Sequence, residues 1–299
     1  IEDATGFDLR DCDYYVGTSA GAIVAAHLVA GQSPRRPSSF EADDDLDRPL
    51  NGARPVDGLA AAGVAAMRRA GAWAMAVSAT FAPMALGLAA PGGAVARALL
   101  LHRLPRPTAT LRDLRRNIDR LEPRFDGRLR VIAVDRGNGR RVVFGSPGSP
   151  RASVADAVAA SCTVPWLFVP VTIGGREYVD GGIWSPTNLD AAPAGRDTHV
   201  LCLNPTASIP PSSRVLSVVR SVSRSAVSVE ALVLRRRGAA VRMLAPNAEC
   251  AEAMGTNFMD REPSGRVLAA GYRQGLQFVT ASAPVTPRPP QPSLPLPRP

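Results

Sequence analysis

The chain has 299 residues, 45% hydrophobic and 20% charged, enough for one large α/β domain with a sizeable core. Its formal charge of +9 comes from 35 basic residues, all Arg, against 26 acidic ones. The arginines are scattered and aromatics make up only 5%, which argues against nucleic acid as a partner. What remains is a compositional preference for Arg, with a weak attraction to anionic lipid surfaces beside it.

In chain order, Asp13-Tyr14-Tyr15-Val16 reads as a short strand of β-formers, Gly17 to Gly21 as a turn, and Ala22 to Ala30 as a helix apolar nearly all round and therefore buried. Gly31 and Pro34 end that helix. Ser33 to Asp57 is polar and Pro-rich, an exposed loop, and Ala60 to Ala70 is a helix. Ala70 to Ala96 holds no charged residue. Ala72 to Ala90 alone approaches the roughly 20 apolar residues of a bilayer span, but Pro83, Pro91, Gly92 and Gly93 break it into shorter helices.

Leu111 to Leu121 is a helix. Val131 to Asp135 is a buried strand, joined through Arg136 to Arg140 to a second strand, Val142-Val143-Phe144. Ser153 to Cys162 is a helix with Ser153 as N-cap and Asp156 three residues on. Thr172 to Val179 is a hairpin turning at Gly174-Gly175. A buried strand, Thr198 to Leu203, a long helix, Arg214 to Arg237, a strand, Ala240 to Leu244, and a helix, Gly265 to Thr280, complete the order. The alternation of strands and helices predicts an α/β fold with a mostly parallel central sheet. Residues 1–280 are expected as one domain, with 70–104 as an apolar helical insertion or lid and 281–299 as a Pro-rich disordered tail.

Gly17-Thr18-Ser19-Ala20-Gly21 matches G-x-S-x-G. With a strand before it and a helix after it, the pattern sets the Ser19 hydroxyl on a sharp turn at an open cleft. The glycines permit strained backbone, and the helix N-terminus behind Ser19 favours developing negative charge. The pentapeptide alone also fits an ordinary Gly/Ser turn. Asp180-Gly181-Gly182 ends a predicted strand, where sites of α/β sheets lie. On its own, Asp-Gly reads as a type I′ turn pair. The three histidines are His27, on the helix after Ser19, His102, in an Arg-Pro segment, and His199. Only His199 comes after Asp180, as a Ser-Asp-His order requires. Cys12, Cys162, Cys202 and Cys250 form no CxxC pair, so no metal or redox motif is expected, and the thiols are expected free in a reducing compartment.

Gly17 to Ala22 and Tyr178-Val179-Asp180-Gly181-Gly182 resemble the two motifs of the patatin-like phospholipases. Ala159 to Phe168, with Pro170 and Val171, resembles the family's lead-in to the Asp strand. Ser185-Pro186-Thr187-Asn188 resembles the stretch after the Asp in bacterial members. The resemblance runs from about Asp13 to about Thr280. It implies a three-layer α/β/α fold and a Ser-Asp dyad, with Ser19 as nucleophile and Asp180 as general base. The implied reaction is hydrolysis of lipid acyl esters with no metal or organic cofactor. Separately, a cytoplasmic protein with peripheral contact at a membrane is expected.

The family's first strand and a glycine-rich oxyanion loop normally precede the serine. Ile1 to Thr18 contain one glycine besides Gly17, namely Gly6, so that loop is absent from this stretch, and the Ala20 backbone N–H is the oxyanion donor left in view. Ile1 is not Met, no signal-peptide pattern opens the chain, and the numbering is expected to start inside a longer protein. As numbered, the chain is expected to be nearly inactive and poorly soluble. Two rival readings stand: a catalytically impaired homologue that keeps the fold and binds lipid, and a Ser-Asp-His esterase using His199.

Overall fold

The computed structural model describes residues 1–37, 93–104, 107–208, 226–255 and 264–280. The predicted helix Ala60 to Ala70, nearly all of the loop before it, the apolar segment up to residue 92, the first part of the helix Arg214 to Arg237 and the 281–299 tail lie outside the described residues.

The helices α1 (Glu2–Thr5), α2 (Ala20–Val29), α3 (Gly93–Arg103), α4 (Arg112–Asp119) and α5 (Val154–Ser161) belong with the strands β1 (Tyr15–Thr18), β2 (Leu129–Asp135), β3 (Arg141–Phe144), β4 (Val171–Ile173) and β5 (Arg176–Asp180). Beyond them come β6 (His199–Leu203), α6 (residues 226–236), β7 (Ala240–Leu244), α7 (Ala248–Met254) and α8 (Ser264–Thr280). The fold is α/β. A five-stranded sheet runs in the order β1-β2-β5-β4, with β3 also paired to β2, and a second sheet holds β6 and β7. β1 runs parallel to β2, and β6 to β7. The two hairpins predicted from their turns add antiparallel ladders at β2–β3 and β4–β5, and β5 returns antiparallel to β2. The sheet is therefore mixed.

Helices cover both faces. Ala22, Ala25 and Ala26 of α2, Leu114 and Ile118 of α4 and Val154, Ala157 and Val158 of α5 pack on Leu129, Val131, Ala133, Phe144 and Tyr178. On the other face Leu101 of α3 meets Val134 and Val179, with Trp184 against them. Cys202 and Val241 of the second sheet pack on Val227, Ala231 and Leu234 of α6.

Several boundaries differ from the sequence expectation. The serine strand is Tyr15–Thr18 rather than 13–16. Tyr14 points out at 49% exposure, so its β-propensity marks the approach to the strand. Gly17 and Thr18, turn residues by their pattern, are paired with Val131 and Ile132. α2 begins at Ala20 and is not buried all round, since Val24 faces solvent at 54% exposure. β6, a buried strand by its composition, buries only Cys202, because among the described residues it pairs with β7 alone and has α6 on one side. α1 and α7 have no counterpart among the predicted elements. Among the described residues, β1 pairs on one side only, and no helix is long and apolar enough to cross a membrane.

Candidate active site

Ser19 sits between the last residue of β1 and the first of α2, with φ 51 and ψ −120. For a residue with a Cβ this backbone costs about 1–3 kcal/mol, so the surroundings must hold it. Its N–H donates to Ser161 Oγ at 2.9 Å, a hydroxyl fully buried at the end of α5. Its carbonyl accepts from the N–H groups of Ala22 and Ile23. A Cβ on Gly17 would lie 2.4 Å from Ala22 Cα and 2.6 Å from Ala22 N, so only glycine lets the helix double back onto the strand. A Cβ on Gly21 would meet nothing. The two motif glycines thus do different work, and the strain expected of them is carried by Ser19 itself.

Asp180 closes β5, and strand register brings it to the serine. Thr18 pairs with Ile132 and Asp180 pairs with Ala133, so Ser19 and Asp180 emerge on either side of the same small residue of β2. Neighbouring strands lie about 4.8 Å apart, and two side chains leaning across an alanine can close two such spacings. The Ser19 side chain lies near enough to the Asp180 carboxylate to lower its pKa, as does the Gly182 N–H, which donates to Asp180 Oδ1 at 2.7 Å. Burial opposes both and wins. Asp180 is 6% exposed, and its pKa rises from 3.8 to about 6. Gly181 is required on steric grounds, because a Cβ there would lie 2.6 Å from the Ile132 carbonyl oxygen.

Cys162 completes the group. Burial and the Asp180 charge push its thiol pKa up, and the Ser19 side chain nearby opposes them, so it stands as a neutral thiol. In the sequence, Ser161 and Cys162 are only part of the lead-in to the Asp strand. Their roles depend on contacts made by the serine, over 142 residues for Ser161, and no local pattern signals them.

The histidines stand apart. His27 is half-buried on α2, with its pKa lowered by burial and by Arg35. His102 lies in the last turn of α3. His199 is exposed at the start of β6, paired with Ala240. No histidine is among the groups acting on the Asp180 carboxylate. Ala20 opens α2 and is exposed, leaving its N–H at the helix end beside Ser19. Among the described residues, no three His, Cys, Asp or Glu side chains gather as a metal would need.

The fold is that of an α/β protein with Ser19 and Asp180 brought to neighbouring strand ends. The family model for patatin-like phospholipase matches residues 5–193, and the chain belongs to that family, whose members are hydrolases of lipid metabolism. The match takes in Ser19, Asp180 and the Ser185–Asn188 segment. It ends well short of Thr280, the far limit of the resemblance expected from the sequence.

Proposed function

We propose that the chain is a serine carboxylic-ester hydrolase acting on lipid acyl esters, as a phospholipase A, a lysophospholipase or a less selective lipid acyl hydrolase. The observation that supports this reading best is a buried carboxylate of raised pKa, Asp180, interacting with a serine on a strained strand-to-helix turn. Asp180 takes the proton of Ser19 Oγ as the oxygen attacks the ester carbonyl, and the negative charge moves to the carbonyl oxygen. The Ala20 N–H and the N-terminus of α2 stabilise that oxyanion. As the carbon–oxygen bond to the alcohol breaks, the proton on Asp180 passes to the leaving oxygen. Asp180 then accepts a proton from water, which attacks the acyl-Ser19 ester, and the same proton returns to Ser19 as the fatty acid leaves.

Fluorophosphonate labelling with the modified residue mapped by mass spectrometry tests the reading, alongside fatty-acid release from a lysophospholipid. Labelling at Ser19 is expected where the family's oxyanion loop is present. Lipid binding with no labelled serine would favour the impaired, lipid-binding reading. Labelling abolished by His199→Ala would favour the histidine-dependent one.

A base must be ionised to accept a proton. With the Asp180 pKa at about 6, kcat/KM on a non-titrating ester should rise through about pH 6 and level off above it. A midpoint near that of an ordinary carboxylate, about 4, would remove buried Asp180 as the base.

The proposal includes a cytoplasmic protein with peripheral contact at a lipid interface through the 70–104 region. Within it, Val95 and Leu99 stand one helical turn apart on α3, 68% and 57% exposed. Flotation with anionic vesicles should fall several-fold in a Val95→Glu/Leu99→Glu variant, because each buried apolar side chain contributes about 1.5–3 kcal/mol. Unchanged flotation would dismiss this contact.

A further inference from the structure

The Ser185–Asn188 segment lies at the centre of a hydrogen-bonded system that the reaction above does not use. Asn188 is fully buried and held at φ 50, in the left-handed region. Its Nδ2 donates to Thr18 Oγ1 at 3.1 Å, to the Gly181 carbonyl at 3.2 Å and to the Ser185 carbonyl at 2.6 Å. Thr18 is the residue before Ser19, and Gly181 is the residue after Asp180. One amide therefore spans the two loops whose spacing matters most. Its Oδ1 accepts from Arg141 at 3.3 Å, and Arg141 also pairs with Asp190 at 2.6 Å.

Asn188 is gripped in turn from α6. Glu230 is 9% exposed, and its Oε2 accepts from Thr187 Oγ1 at 2.7 Å and from the Leu189 N–H at 2.8 Å. The residues on either side of Asn188 are thus tied to one carboxylate oxygen. Ser185 Oγ accepts from the Asn188 N–H at 3.2 Å. A buried carboxylate is costly without such donors, and two here converge from one short loop. Burial pushes the Glu230 pKa up and the bonds from Thr187 and Leu189 oppose that rise, so the loop and the carboxylate support each other.

We infer that Glu230 and Asn188 are positioning residues, through which α6, outside the 5–193 family match, sets the distance between Ser19 and Asp180. This rests on the proposed serine-hydrolase reading. Neither residue touches the substrate. Glu230 fixes the loop, the loop fixes the Asn188 amide, and the amide fixes Thr18 against Gly181. A displacement of about 1 Å in a reacting pair can cost about 100-fold in rate, so a small relaxation of this clamp reaches the chemistry without disturbing the substrate-binding surface.

The test compares wild type with Asn188→Ala, Glu230→Ala, Glu230→Gln and Thr18→Val. The readouts are kcat and KM on a short-chain p-nitrophenyl ester, the rate of fluorophosphonate labelling, melting temperature, and hydrogen exchange across residues 17–23 and 178–184. Asn188→Ala and Glu230→Ala should lower kcat and labelling by about 10- to 100-fold with KM little changed, and should speed exchange in both segments. Glu230→Gln keeps an oxygen that can accept from Thr187 and Leu189, and it should recover most of the loss. Thr18→Val cuts only the last bond to β1 and serves if the alanine variants fail to fold; it should lower kcat several-fold. Equal losses in Glu230→Ala and Glu230→Gln, a change in KM alone, or losses that merely track melting temperature would overturn the inference. If wild-type Ser19 does not label, the serine-hydrolase reading fails by itself. Hydrogen exchange still decides the clamp in that case, and unchanged exchange in Glu230→Ala would overturn it.

Discussion

Ser19→Ala and Asp180→Asn should each lower ester turnover by on the order of 10⁴-fold or more, and the double variant should be little worse than either, because members of one catalytic unit do not contribute additively. Losses that multiply would separate the two residues. Asp180→Asn carries a second expected result, of opposite sign. The carboxyl pKa is raised from 3.8 to about 6 in the folded protein, so folding disfavours its ionised form. The stability this group contributes is fully present below about pH 4 and is lost as pH rises through about 6. Each pH unit of that displacement is worth about 1.4 kcal/mol, giving roughly 3 kcal/mol at neutral pH. Melting scans from pH 4 to 8 should therefore show wild type losing ground to Asp180→Asn as pH rises, with the variant the more stable at pH 8. A wild type more stable than the variant at every pH would mean that the carboxylate is a net structural asset, contrary to its burial.

The glycines of the serine turn should part company in the same kind of measurement. Gly17→Ala forces a Cβ to within 2.4 Å of the α2 backbone. Neither the strand nor the helix can give way cheaply, and a cost of about 3 kcal/mol should lower the melting temperature by about 6–12 °C. Gly21→Ala meets open space on an exposed helical residue, where alanine is favoured by up to about 1 kcal/mol. Its melting temperature should hold or rise slightly. Equal falls in the two variants would show that the helix does not approach the strand at Gly17 as described.

Both halves of the candidate site are legible in the sequence because both motifs sit at strand ends, and strand ends carry their own signals. The hairpin at Gly174-Gly175 can be read because both glycines are needed at positive φ, 55 and 76. α5 can be read from Ser153, which caps it by accepting the Asp156 N–H at 3.0 Å. The start of β1 is displaced because β-propensity favours the pair Tyr14-Tyr15, whereas the ladder is set by pairing with β2. α7 is hidden because seven residues are too few for a helical period to stand out. Nothing local singles out Glu230. It lies 43 residues from Thr187, to which it bonds, and a glutamate on a helix ordinarily reads as a solvated face.

The Ser161 bond to the Ser19 N–H has a consequence for the timing of synthesis. The hydroxyl that holds the strained turn is encoded 142 residues after it, and Asp180 comes later still. At about 5–20 residues per second, a ribosome needs on the order of 10–30 s after making Ser19 before either partner exists. For most of that interval β1 also lacks β2 beside it, because residues 129–135 come about 110 residues after Ser19. On the proposed reading, a half-made chain on the ribosome therefore carries the serine without the carboxylate that would serve as its base, which arrives only with β5.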